Sequence, residues 1–346
     1  MNRALVVSGG GSKGAFAVGA IRKLQQQYTG LAYTHFVGTS TGSLIVPLAA
    51  IGELDLLEQL YTTVKTSDII TKFNIGDRLN THSIFDSTPL WNLITTYYDD
   101  ARCQQLLNGS TKVYIATTCL QSSQLVIYTT DPAPEPVKHY EIISLTSPDH
   151  LRKAILASAS QPVFMPPVKV DKNVPGAVNP GYQYVDGGVR QYVGIEMAID
   201  QGAKEIFAIL LSAEGDDPVN KEFKSLFEIL QQTIDIFTLD VGKNDLIIPE
   251  QYNEALSYID SVKKKMKREG VATSDIEKYF SIRGHESPWE DKVPLSIFII
   301  RPDAPLGGGP GGLEFNPTEM KGMVTKGRQA AGDFIAGLEP GQISWV

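Results

Sequence analysis

Two glycine-flanked stretches and one aspartate in this 346-residue chain have the residue types and spacing for nucleophilic chemistry on a carbonyl. Gly38-Thr39-Ser40-Thr41-Gly42 is a literal G-x-S-x-G. In a nucleophile elbow the serine sits on a sharp strand-to-helix turn that projects its hydroxyl, and small flanking residues avoid clashes there. Gly9-Gly10-Gly11-Ser12-Lys13-Gly14 admits several readings. As a dinucleotide fingerprint it needs an acid roughly 20 residues on to hold a ribose, but the first acid in the chain is Glu53. As a P-loop it should run from Gly14 into Lys-Ser/Thr, and Ala15-Phe16 follow instead. Consecutive glycines also leave bare backbone N–H groups free to converge on an anion, as an oxyanion hole requires. A plain tight turn between strand and helix is the structural alternative.

A serine nucleophile needs a base. His285 is the one histidine that fits a Ser, Asp, His order. That order belongs to a fold in which several strands precede the elbow, and about 40 residues cannot hold the missing crossovers. His285 therefore reads as a surface loop residue. Asp186, in Tyr184-Val185-Asp186-Gly187-Gly188, is the stronger candidate. It ends a short strand, and the carboxyl edge of a parallel strand is where such sheets place their sites. An Asp-Gly turn is the alternative.

The elements that would position these residues follow from periodicity. Ala4 to Ser8 is a continuous apolar run, and Ala15 to Gln27 follows at helical spacing; His35 to Gly38 is a second strand leading into an apolar helix. The chain opens as βαβα, which requires a parallel sheet. Further strands are expected at 113–118, 125–129, 182–185, 206–211 and 296–300. Ser147 and Pro148 are a good helix start for the segment ending before Pro162. Pro47 should bend the helix after the elbow. The tract Gly307 to Gly312 reads as a flexible loop, and 222–239 and 251–268 as two amphipathic helices in a charge-rich elaboration spanning 212–293.

Taken in order, Gly9 to Gly14, Gly38 to Gly42 and Asp186 to Gly188 resemble the three motifs of the patatin-like phospholipase family of lipid acyl hydrolases. Ala157 to Pro167 is similar to the segment that precedes the family's aspartate, and Leu313 to Pro317 with Gly327 to its C-terminal strand and helix. The resemblance covers 1–210 and about 295–335. It implies an α/β fold of three α/β/α layers with a mainly parallel central sheet, as one domain over 1–346. It further implies a Ser-Asp dyad without histidine, in which Ser40 is the nucleophile and Asp186 its base. Gly9, Gly10, Gly11 and Ser12 would form the oxyanion loop, with Lys13, Gly14, Gly38, Gly42, Gly187 and Gly188 as motif support. Neither cofactor nor metal is implied. The reaction expected is hydrolysis of fatty-acyl esters, with an acyltransferase or a catalytically idle lipid-binding protein as alternatives on the same fold.

Composition agrees with a globular enzyme. Hydrophobic residues make up 42% and charged residues 20% of the chain, which excludes disorder as its main state. A net charge of −8 argues against nucleic acid as a partner. The charge is uneven, since residues 1–52 hold four cations and no acid. Cys103 and Cys119 have no metal or redox spacing and read as buried hydrophobes. No apolar stretch reaches the roughly 20 residues that span a bilayer, so a cytoplasmic protein is expected, with peripheral membrane contact through one segment. Tyr252, Ala255, Leu256, Ile259, Val262 and Met266 form a helical stripe that ends in Lys263 to Arg268, and a basic amphipathic helix can lie on anionic lipid; a solvated helix end is the bland reading. Ile69, Ile70, Phe73, Ile75, Leu90, Trp91, Leu93 and Ile94 could line or cap an acyl groove, or simply fill the core.

Overall fold

The computed structural model describes residues 2–73, 81–215, 222–281, 294–339 and 342–343. Strand β1 (Arg3–Val7) is buried along its whole length, as a continuous apolar run demands when both faces of a sheet are covered. Helix α1 (Gly14–Gln27) returns the chain to β2 (His35–Thr39), which lies parallel to β1 with Leu5 opposite Phe36 and Val7 opposite Gly38. Helices α2 (Thr41–Ala50), α3 (Leu54–Thr63) and the single turn α4 (Thr66–Ile69) follow, then a two-residue ladder of β3 (Thr71–Lys72) with β4 (Phe85–Asp86). Helices α5 (Thr88–Tyr97) and α6 (Asp100–Asn108) lead into β5 (Lys112–Cys119). Beyond it come β6 (Leu125–Thr129), β7 (Glu141–Ser144), α7 (Pro148–Ser158), β8 (Tyr184–Asp186), α8 (Ile195–Asp200) and β9 (Glu205–Ile209). The chain closes with α9 (Leu226–Arg268), α10 (Thr273–Phe280), β10 (Ser296–Ile300) and α11 (Pro317–Ala336).

The main sheet has the order β10-β9-β1-β2-β5-β6-β7, with β8 also on β5. Its pairings are parallel except where β6 and β8 meet β5. Alternation along the strands divides the interior into two cores. Leu5 and Val7 face one with α1, α2, α3, α7 and α11, while Ala4 and Val6 face the other with Ile195, Met197 and Ala198 of α8. These are the three α/β/α layers that the sequence implied.

The structure corrects four expectations. The two amphipathic helices expected over 222–239 and 251–268 are one continuous helix, α9, which runs through Gly242 and Pro249. A Cβ at Gly242 would stand 3.0 Å from the Tyr192 ring, so this glycine serves packing rather than a break. β8 is antiparallel to its neighbour, so Asp186 does not end a parallel strand. Leu313 to Asn316 form no strand; Asn316 caps α11 with its side chain, accepting from the Thr318 and Glu319 amides. The strand β7 had no counterpart among the expected ones. The cap on α7 is as read: Ser147 Oγ accepts from the His150 amide, with Pro148 in the first turn. Pro47 falls inside α2, which ends three residues later. Cys103 and Cys119 are free and buried.

Candidate active site

Strand β5 brings the two candidate catalytic residues together. On one edge its residues 112–116 pair with β2, ending at Thr39 opposite Ala116. The next positions on β5, Thr117 to Cys119, pair with β8 coming from the opposite direction, with Asp186 opposite Thr117. The two strands thus meet nearly end to end on β5. Ser40, just past Thr39, reaches the Asp186 side chain, and the two form a hydrogen bond.

Ser40 has φ 55° and ψ −122°, a region that L-residues occupy only when their surroundings hold them there. Here the restraint comes from three directions. The Ser40 amide donates to Ser158 Oγ at 3.0 Å, and the Ser40 carbonyl accepts from Ser43 Oγ at 2.6 Å and from the Ser43 amide at 2.9 Å. Gly42 must be glycine, because a Cβ there would collide with the Val7 carbonyl. Helix α2 therefore starts directly against the end of β1.

Asp186 is 7% exposed. Burial pushes its carboxyl up to about 6, against the opposing effect of hydrogen bonds from Ser40 and from the Gly188 amide, the latter at 2.7 Å. Its own amide donates to the Ser160 carbonyl at 2.9 Å. The end of α7 and the residues just beyond it thus bind both candidates, Ser158 holding the serine and Ser160 the aspartate. Upstream, β8 is anchored by Tyr184, whose hydroxyl donates to Asp171 at 2.7 Å. Asp171 also accepts from Tyr128 and pairs with His150. Burial pushes the Asp171 carboxyl up, but these bonds outweigh it and leave it below its ordinary value.

A cavity of about 250 Å³ opens over Ser40 and Asp186, and Gly10, Gly11, Lys13 and Gly188 are among its lining residues. Gly9 stands just outside it, with its amide donating to the Tyr192 carbonyl at 3.2 Å, so that N–H is already used. Ser12 is fully buried beneath the loop. Of the four loop residues put forward from the sequence, Gly10 and Gly11 are the ones that face the cavity. The loop also leads into the N-terminus of α1 at Gly14, where the helix dipole favours negative charge.

Three further contributors lie far along the chain, and no local pattern marks them. The glycine tract read as a flexible loop packs on the oxyanion loop, and a Cβ on either Gly11 or Gly312 would strike the other's backbone or its neighbour's. Both have positive φ, so glycine meets both demands. Helix α9 supplies Asp235, which interacts with Lys13 and accepts from the Gly311 amide. Burial lowers the Lys13 ammonium and raises the Asp235 carboxyl, and their mutual attraction opposes both shifts. An acid therefore approaches the loop even though residues 1–52 contain none. Asp245, also on α9, accepts from the Tyr192 and Val193 amides at 2.6 and 2.9 Å and is itself pushed up to about 6 by burial. Tyr192 lines the cavity beside Asp186.

The apolar side of the cavity includes Leu44, Ile69, Leu90 and Phe315, which also line an adjoining hollow of about 70 Å³ with Leu93 and Ile94. Ile70 is buried but lines neither space, Phe73 is exposed, and Trp91 packs on the main core. Ile75 and His285 lie outside the described residues. One group of ligating side chains was not foreseen: single atoms of His139, Glu196 and Asp200 lie within 4.8 Å of one another, and none of the three lines the cavity. No helix among the described residues is long and apolar enough to cross a membrane.

Comparison with known proteins gave three results. A search of curated proteins found no match. Among solved structures, VipD from Legionella pneumophila aligns with 97% of this chain and 67% of its own, at 13% identity and a TM-score of 0.43. A family model described as patatin-like phospholipase matches residues 5–199, and both candidate residues, the glycine loop and the elbow fall within it. That match takes in more than half of the sequence, and the chain belongs to the patatin-like phospholipase family.

Proposed function

We propose that this chain is a lipid acyl hydrolase in which Ser40 attacks an ester carbonyl and Asp186 is its base. The observation that carries the reading is the hydrogen bond between a serine in a strained elbow and a buried carboxylate raised to about 6, inside a cavity with one apolar wall. An ordinary aspartate is a weak base toward a hydroxyl; one raised toward neutrality by burial is a better match and still ionised at pH 7.

In the first half-reaction Ser40 Oγ forms a bond to the carbonyl carbon as its proton passes to Asp186 Oδ. The carbonyl oxygen becomes an oxyanion that the Gly10 and Gly11 amides receive. Collapse breaks the bond to the leaving oxygen, which takes the proton from Asp186 and departs as an alcohol or lysolipid. Water then attacks the acyl-enzyme, giving its proton to Asp186, and Ser40 leaves with that proton as the fatty acid is released. The apolar wall at Leu44, Ile69, Leu90 and Phe315 would take the acyl chain. No step needs a metal or cofactor. The scheme treats 1–346 as one functional unit, with 212–293 contributing Asp235 to the wall of the site and Asp245 to the support of the Tyr192 backbone.

The test is labelling by a fluorophosphonate probe together with release of fatty acid from mixed lipids, followed by mass spectrometry. The wild-type chain should react with both. Ser40→Ala should abolish labelling and Asp186→Ala should reduce both signals by at least 10²-fold. Full activity in the Asp186→Ala chain would overturn the dyad. Transfer of the acyl group to an added alcohol in preference to water would assign the acyltransferase alternative, and an unlabelled wild-type chain the idle one.

A further inference from the structure

Glu196 and Asp200 lie four positions apart on α8, a spacing that puts both carboxylates on one face of a helix. Ile195, Met197 and Ala198 of the same helix are buried in the core that α8 shares with the sheet. Two like charges at that spacing work against the helix that carries them. His139, from the segment before β7, reaches the same face. One ligand atom from each residue lies within 4.8 Å of the other two. No atom of the three is then more than about 2.8 Å from their common centre, and zinc bonds to imidazole nitrogen or carboxylate oxygen are about 2.0–2.2 Å long. Side-chain rotations that move each atom by less than about 1 Å close all three on one ion. His139 and Glu196 are exposed and Asp200 half-buried, so they have room to turn and water can reach the remaining coordination position.

Acidic groups often gather on a surface with no ion between them; what separates this group is a nitrogen donor and the bracing of both elements that carry it. The Tyr140 hydroxyl, one residue beyond His139, donates to Asp200 Oδ2 at 3.1 Å. The side chain of Gln201, one residue beyond Asp200, accepts from the Glu135 amide at 3.0 Å and donates to the Glu135 carbonyl at 3.1 Å. Segment 135–140 is thus fastened to the C-terminal end of α8. At the other end, Asp245 of α9 holds the Tyr192 and Val193 amides, just ahead of Gly194, which caps α8 in the left-handed conformation. Both elements are fixed before any ion arrives, and a ligating carboxylate held by a neighbouring hydroxyl is the kind of outer support that orients metal ligands. The donor set selects the ion. One imidazole with two carboxylates suits a borderline cation of the zinc class, whereas calcium and magnesium take shells of oxygen.

We propose that His139, Glu196 and Asp200 bind a divalent cation of the zinc class, with water completing its shell, and that the ion ties the segment before β7 to α8. The site is structural, since none of its ligands lines the cavity over Ser40, and it does not depend on the hydrolase reading.

The test is calorimetric titration of the full chain with Zn²⁺ at about pH 7.5, where an imidazole is free to ligate. His139→Ala and Glu196→Gln should each weaken binding by at least about 10²-fold, and Tyr140→Phe, which removes only the support of Asp200, by about 10-fold. Zn²⁺ should raise the melting temperature of the wild-type chain and leave that of His139→Ala where it was. Co²⁺ in place of Zn²⁺ should give visible absorption bands in the wild type that His139→Ala lacks. Circular dichroism of the metal-free variants should match the wild type, which separates a lost ligand from a lost fold. A wild-type chain that binds no Zn²⁺, an affinity that His139→Ala leaves unchanged, or a preference for Ca²⁺ over Zn²⁺ would each overturn the proposal.

Discussion

Replacing Asp186 by asparagine should make this protein more stable at neutral pH, and the gain follows from the burial that raises its carboxyl. Folding moves that carboxyl from an ordinary value of 3.8 to about 6. Below pH ~4 both folded and unfolded chains hold the proton, and the aspartate costs nothing. As pH rises from there to 6 the unfolded chain releases its proton while the folded chain keeps it, so stability falls across that window. Above about 6 the folded chain is ionised too and the full penalty stands. A gap of roughly two units at 1.36 kcal/mol each gives about 3 kcal/mol. Asparagine keeps an acceptor for the Gly188 amide, bonded at 2.7 Å, and does not titrate. Asp245 titrates in the same range but identically in both chains, so it cancels from the difference. Urea unfolding of both chains at several pH values between about 4 and 8 should show curves that coincide at the acid end and separate by about 3 kcal/mol at the alkaline end. A variant no more stable than the wild type near pH 8, or a difference that does not vary with pH, would refute the buried, raised carboxylate.

Two other outcomes follow from the same geometry. kcat/KM for a soluble ester should rise about tenfold per unit below a midpoint near 6 and level off above it, because only ionised Asp186 can accept the Ser40 proton; a flat profile from about pH 5 to 8 would count against that role. Gly42→Ala should cost at least about 3 kcal/mol and lower activity together, since its Cβ has to displace the Val7 carbonyl or the start of α2; a stable, active variant would show that the elbow is not packed as described.

How far the sequence could be read depended on the distance over which each feature is encoded. The glycine loop and the elbow are strand-turn-helix units of about ten residues, so their chemistry and their supports lie side by side in the chain. Asp186 was visible through its two glycines, but the direction of β8 was not, because three residues carry no signal of the neighbour they will pair with. The continuity of α9 was hidden by Gly242 and Pro249, which read locally as breakers. The glycine meets the Tyr192 ring, a tertiary contact that overrides propensity. The parts that Ser158, Asp235 and Gly312 play at the site were hidden for one shared reason. Each acts on a loop more than 100 positions away, Ser158 on Ser40 and the other two on the Gly10 to Lys13 turn.

The packing of Gly312 on Gly11 has a bearing on synthesis. A nascent chain that has emerged as far as about residue 210 already contains Ser40, Asp186 and the segment that holds them. It still lacks Asp235, the 309–312 wall and α11, which lies along α1. Until those late residues leave the ribosome, the oxyanion loop has no backing and Lys13 no counter-ion. The cavity over Ser40 is therefore assembled only after residues 309–312 have been made, long after Asp186, and on the hydrolase reading proposed above the site would become competent no earlier than that.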